Sequence, residues 1–198
     1  MEHLSQPTRG HGKLEGFLAR QRVAQALQRI RPSLDGGAVL DIGCGSHPLF
    51  LLQAPFARKV GLDQVSPAGP LPPGIELLRL PLGTDPLPFP DAAFDCVVSL
   101  AFLEHLAPES VPLLLREVRR VLKPTGQFVG TTPHALADGL LRLLSRLGLV
   151  SREEIDEHRS IFGRRAIRRL LVDAGFRESS VAVGGFQGGL NIWMTAEP

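Results

Sequence analysis

The sequence predicts a parallel α/β sheet with helices on both faces and an antiparallel hairpin at its carboxyl end. Three observations carry this. Short apolar runs alternate with helical periodicities or crossover loops over residues 38–133, as expected of strands buried on both faces. A glycine loop follows the first of these runs, in VLDIGCGSHPLF (39–50). Two β-like runs, SSVAVGGF and LNIWMTAE, close the chain, with Gly188 and Gly189 just before the second.

Each element has its own signal. Leu14, Phe17, Leu18, Val23, Ala26, Leu27 and Ile30 recur at three- and four-residue spacing, which predicts an amphipathic helix over 13–31 that Pro32 stops. AVLDI (38–42) is the first strand, PLFLLQA a two-turn helix, and ARKVGLD (57–63) a second strand ending in an acid. A Pro/Gly loop leads to IELLRL (75–80), and PLGTDPLPFPDAA (81–93) is a further proline-punctuated loop. FDCVVSL (94–100) is the fourth strand and SVPLLLREVRRVL (110–122) a helix with one apolar face. KPTG turns the chain into a fifth strand, QFVGTTP, and a helix over 161–174 ends at Gly175.

At 198 residues the chain suits one domain (1–198) and is short for two. Its net charge of +2 is too small to imply a nucleic-acid partner, and no basic patch with interleaved aromatics supports one. Cys44 and Cys96 stand far apart, which argues against a disulfide framework or a metal knuckle and for a reducing cytoplasm. The start, MEHLSQPTRGHG, lacks the apolar stretch of a signal peptide, and no run approaches the roughly 20 apolar residues of a membrane span. A soluble cytoplasmic protein is expected.

Ligands of open parallel sheets sit at the carboxyl ends of the strands, where strand order reverses, and the glycine loop belongs there. Gly43 and Gly45 lack Cβ atoms and permit positive φ, so a ligand can lie against the backbone. A dinucleotide fingerprint wants a third glycine, and Pro48 stands in its place, in the first turn of the next helix. Asp63 ends the second strand and can hold two ribose hydroxyls of any adenosine-containing ligand.

VLDIGCG, then GLD twenty residues on, then LPFPDAAFDCVVSLAFLEHL and LLREVRRVLKPTGQFV, in that order and spacing, resemble the class I S-adenosylmethionine-dependent methyltransferases, within them the small-molecule branch of ubiquinone-biosynthesis type. The resemblance covers about 35–195. It implies the Rossmann-like fold of that class, a seven-stranded mostly parallel sheet whose seventh strand is antiparallel. It implies S-adenosylmethionine as cofactor, with S-adenosylhomocysteine as product. Asp41, Gly43, Cys44 and Gly45 take its methionyl and ribose side, Asp63 the ribose hydroxyls, and Gln64 the neighbourhood of the adenine. Ser99 and Leu100 pass close to the sulfonium and its methyl group. The amphipathic helix before the resemblance makes 1–34 an N-terminal helical extension, and the resemblance marks 135–160 as a substrate-covering insertion.

Two positions depart from the family pattern. His47 stands where a third small residue is common, either filling space or changing the grip on the methionyl end. Gly83 replaces the aspartate that accepts the adenine amino group; Asp85, two residues on, either takes that role or starts a turn before Pro86.

Methyl transfer from a sulfonium is an in-line displacement, so holding the acceptor at near-attack distance supplies ~7–11 kcal/mol. A phenol, hydroxyl or ammonium acceptor also needs a base. His105, His134 and His158 fall on loops expected around the pocket and are the candidates; Glu104-His105 also fits a role in shaping the cofactor pocket. The leucine-rich LADGLLRLLSRLGLV is either a lid packed on the domain or on a twin subunit of a homodimer, or the cover of a lipid-like acceptor such as a quinone. Arg164, Arg165, Arg168 and Arg169 form a solvated face or bind a phosphate-bearing substrate. SLAFLEH after the fourth strand has neither the Asn/Asp-Pro-Pro signature of DNA amino-methylation nor a cysteine for cytosine C5 chemistry, and Cys96 reads as core. A nicotinamide-dependent oxidoreductase and a catalytically silent S-adenosylmethionine-binding subunit are the alternatives.

Overall fold

The computed structural model describes residues 15–81, 86–134 and 162–198. Its elements run α1 (Glu15–Leu27), β1 (Ala38–Ile42), α2 (Leu49–Gln53), β2 (Arg58–Asp63), β3 (Ile75–Arg79), β4 (Phe94–Leu100), α3 (Ser110–Val121), β5 (Leu122–Pro133), α4 (Arg164–Asp173), β6 (Ala182–Phe186) and β7 (Asn191–Ala196). The seven strands form one sheet in the order β3-β2-β1-β4-β5-β7-β6. β7 lies antiparallel between β5 and β6, and the pairs from β3 to β5 are all parallel. The carboxyl-terminal hairpin is therefore present, with its second strand on the inside. Strand order reverses between β1 and β4, which opens a crevice at their carboxyl ends.

Both faces are buried, as the continuous apolar runs require. On one, Leu40, Ile42, Val97 and Phe128 meet Leu114, Leu115 and Val118 of α3 and Ile167 and Leu171 of α4. On the other, Val39, Cys96, Val98 and Val129 meet Val23 and Ala26 of α1 and Phe50 and Leu51 of α2. Cys96 is fully buried there, as core.

The KPTG segment keeps its turn character inside a strand. Between the pairs Phe94↔Leu122 and Cys96↔Gln127, β4 advances two residues while β5 advances five. Pro124 has no N–H to give the ladder, so the extra residues bulge out. Lys123 Nζ closes the bulge on the Asp95 carboxylate, at 2.9 and 2.8 Å.

The segment just past the carboxyl end of α1 is fastened to the floor of the sheet, where the parallel strands begin. The Gln127 side chain donates to the Arg29 carbonyl (2.9 Å) and accepts the Arg31 amide (3.0 Å). The amino-terminal half of α1 therefore rises towards the carboxyl edge. Above the fastening, the Arg29 guanidinium lies 4.1 Å from the centre of the Trp193 ring on β7. Among the described residues no helix is long and apolar enough to cross a membrane.

Candidate cofactor and acceptor site

The glycine loop leaves β1 at Ile42 and turns at once. Gly43 has φ 77° and Gly45 φ 71°, a region closed to most side chains, and the amides of Gly43 and Cys44 both donate to the Leu62 carbonyl of β2 (2.8 and 3.2 Å). A second constraint acts on Gly43. A Cβ there would meet the Phe102 ring at 2.4 Å, so the glycine lets the segment after β4 close over the loop. Pro48 stands one residue ahead of α2 as its cap, so its missing N–H falls outside the helix.

Asp63 ends β2 beneath this loop. Its Oδ2 accepts the Gly45 amide at 2.8 Å and its Oδ1 the Val65 amide at 3.0 Å. Asp41, one strand over, is buried; desolvation and then the nearby Asp63 push its carboxyl up to about 8. An acid held neutral at such a place suits a cationic ligand, whose charge would restore the carboxylate. Asp41, Gly43, Cys44, Gly45, Asp63 and the exposed Gln64 thus meet at the ends of β1 and β2.

The ends of β4 and β5 form the second wall. Leu100 shares the α1 face with Asp41, whereas alternation sends Ser99 to the α3 face, where its hydroxyl is buried without a partner. Ala101 then takes φ 53°, a costly conformation for alanine, and its amide donates to the Thr131 carbonyl. Glu104, buried, accepts a 3.0 Å hydrogen bond from the Thr132 hydroxyl and so ties the turn after β4 to the end of β5. His105 sits half-buried in that turn, and His134, also half-buried, follows β5. His158, Asp85, Gly83 and the 135–160 insertion lie outside the described residues.

Phe102 and Thr132 are structural partners the sequence does not announce. An aromatic two residues beyond a strand and a threonine within one are too common to mark a site. His47 is half-buried beside the loop.

A methyltransferase-domain family model matches residues 16–180. The chain belongs to that family, and its fold is that of the class I S-adenosylmethionine-dependent methyltransferases. Demethylmenaquinone methyltransferase of Symbiobacterium thermophilum is 36% identical over 126 residues, which cover 56% of this chain and 46% of that protein. The chain spans less than half the length of the curated relatives it matches. Among solved structures, a Haloferax volcanii chain in complex with the Trm112 methyltransferase activator superposes with a TM-score of 0.70 at 21% identity, covering 92% of each chain. An S-adenosylmethionine-dependent methyltransferase of Mesorhizobium loti gives 0.67 at 21% identity, covering 89% of this chain and 98% of that one. At such identities the likeness is one of fold.

Proposed function

We propose that this chain transfers a methyl group from S-adenosylmethionine to a small-molecule or lipid-like acceptor, chiefly by positioning. The observation that carries the reading is the closed arrangement of Gly43, Gly45 and Asp63, with a buried acid, Asp41, beside it. The donor set suits the cofactor: Asp63 has lone pairs for ribose hydroxyls, the bare Gly45 backbone admits close approach, and the Asp41 carboxyl awaits a positive charge.

S-adenosylmethionine supplies a methyl group already activated on a sulfonium. What remains for the protein is alignment and exclusion of water. Leu100, Ala101 and Phe102 wall the crevice beside the loop, and the Glu104–Thr132 bond fixes the turn that carries His105. His105 and His134 are the candidates to take a proton from a hydroxyl acceptor. The name of the Symbiobacterium relative supports a quinone-like acceptor.

Calorimetry tests the cofactor: S-adenosylhomocysteine should bind, and tight NADH binding without it would refute the reading. Mass spectrometry after incubation with a deuterated methyl donor and cell extract identifies the acceptor, and cofactor binding with no labelled product would favour a silent subunit.

A further inference from the structure

We infer that the acceptor is gripped at its far end by an anion subsite made of Arg22, Thr131 and Gln187, and that it carries a carboxylate or phosphate there. This rests on the methyltransferase reading and names the class of its second substrate.

Three polar atoms, Arg22 Nε, Thr131 Oγ1 and Gln187 Nε2, are buried and have no hydrogen-bond partner. Buried polar groups are nearly always satisfied, so three orphans in one region call for a ligand. Their placement follows from register. Thr131 pairs with Trp193 across β5 and β7, and alternation puts both on the face that α1 covers. Asn191, two residues from Trp193, shares that face; its amide donates to Gln187 Oε1 at 2.5 Å, which brings the Gln187 side chain to the same side. Arg29 lies in the turn just past α1, where Gln28 and Ile30 still donate four residues back to Ala24 and Ala26, so Arg22, seven residues earlier, falls about two turns up on the same flank. Arg29 sits on Trp193, and α1 rises from the floor, so Arg22 stands above Trp193 at the carboxyl edge.

The chemistry is one-sided. Arg22 and Gln187 present N–H donors and Thr131 a hydroxyl that can donate. Among the described side chains no carboxylate stands beside β5 at this end of the face: Asp41 and Asp63 are two and three strand spacings away, roughly 10 and 15 Å, and Glu104 is held by Thr132 on the other face. Gln187 also keeps φ 51°, a strained conformation that persists where surroundings impose it. A planar guanidinium with two further donors suits an oxyanion. β4, where the methyl group would pass, is two strands from β7, so the anionic group lies roughly 10 Å from the reacting atom.

The test is side-chain NMR of the nitrogen-labelled chain, titrated with inorganic phosphate in one arm and benzoate in the other. The Arg22 Nε–H and Gln187 amide signals should shift saturably, and the tighter arm names the group. Arg22→Gln should weaken the response at least tenfold, Arg22→Lys less, and Thr131→Val a few-fold. Shifts no larger than those from chloride at equal ionic strength, or a response intact in Arg22→Gln, would overturn the subsite. S-adenosylhomocysteine calorimetry on the same sample separates the two readings. Cofactor binding without an anion response sinks the subsite alone; an anion response without cofactor binding sinks the methyl-acceptor assignment.

Discussion

The Gly45 amide donates to Asp63 Oδ2 at 2.8 Å, so the acid proposed to hold the ribose also holds the glycine loop in shape. Asp63→Ala therefore removes two things together, the hydroxyl grip and a loop anchor. Loss of the charge-assisted bonds should cost about 2–3 kcal/mol of S-adenosylhomocysteine binding. Asp63→Asn keeps an acceptor oxygen and should lose less. Unchanged calorimetric affinity in Asp63→Ala would show that the ribose lies elsewhere.

Asp41 gives the protein a pH signature. Its folded carboxyl titrates at about 8, above the ordinary carboxylate value, so its contribution to stability is complete below about pH 4 and is lost as pH rises through about 8. The slope reaches at most about 1.4 kcal/mol per pH unit in that window. Urea unfolding across the window should show a decline that Asp41→Asn flattens. A cationic cofactor beside Asp41 favours the carboxylate, so binding of S-adenosylmethionine at pH 7 should release a proton. Enthalpies that do not differ between phosphate and Tris buffers would contradict that.

Gly43 carries two constraints, and they can be separated. Gly43→Ala meets both the φ of 77° and the Phe102 ring, and should destabilise the fold on the order of 1–3 kcal/mol. Adding Phe102→Ala removes the clash and leaves the strain, so recovery should be partial. Full recovery of melting temperature and cofactor affinity would mean that the backbone conformation costs nothing.

Trp193 is the chain's one tryptophan, and the Arg29 guanidinium lies on its ring. Arg29→Met should cost about 0.5–2 kcal/mol and shift the emission spectrum. An unchanged spectrum would separate the ring from α1.

Much of the fold was legible because its strands are buried on both faces: AVLDI and FDCVVSL coincide with β1 and β4. KPTG read as a turn, and sequence alone does not show that the ladder continues past it as a bulge, because the Lys123–Asp95 pair joins residues 28 apart. At the site, Gly43, Gly45 and Asp63 were legible because backbone geometry demands glycine and the strand end exposes an acid. Pro48 fell one residue outside the helix expected to contain it. Phe102, Thr132 and the Arg22 subsite were not legible, since each depends on which strands become neighbours.

The two hydrogen bonds of Gln127 with Arg29 and Arg31 pin the turn at the base of α1 and make that helix a lever arm. Arg22 stands about 10 Å up the arm from Arg29, so a tilt of about 5° at the base carries it by about 1 Å. Displacements of that size at a reacting centre can change rates a hundredfold. If the proposed subsite holds the acceptor, a residue buried at the foot of the sheet, far from the methyl group, would thereby set its aim.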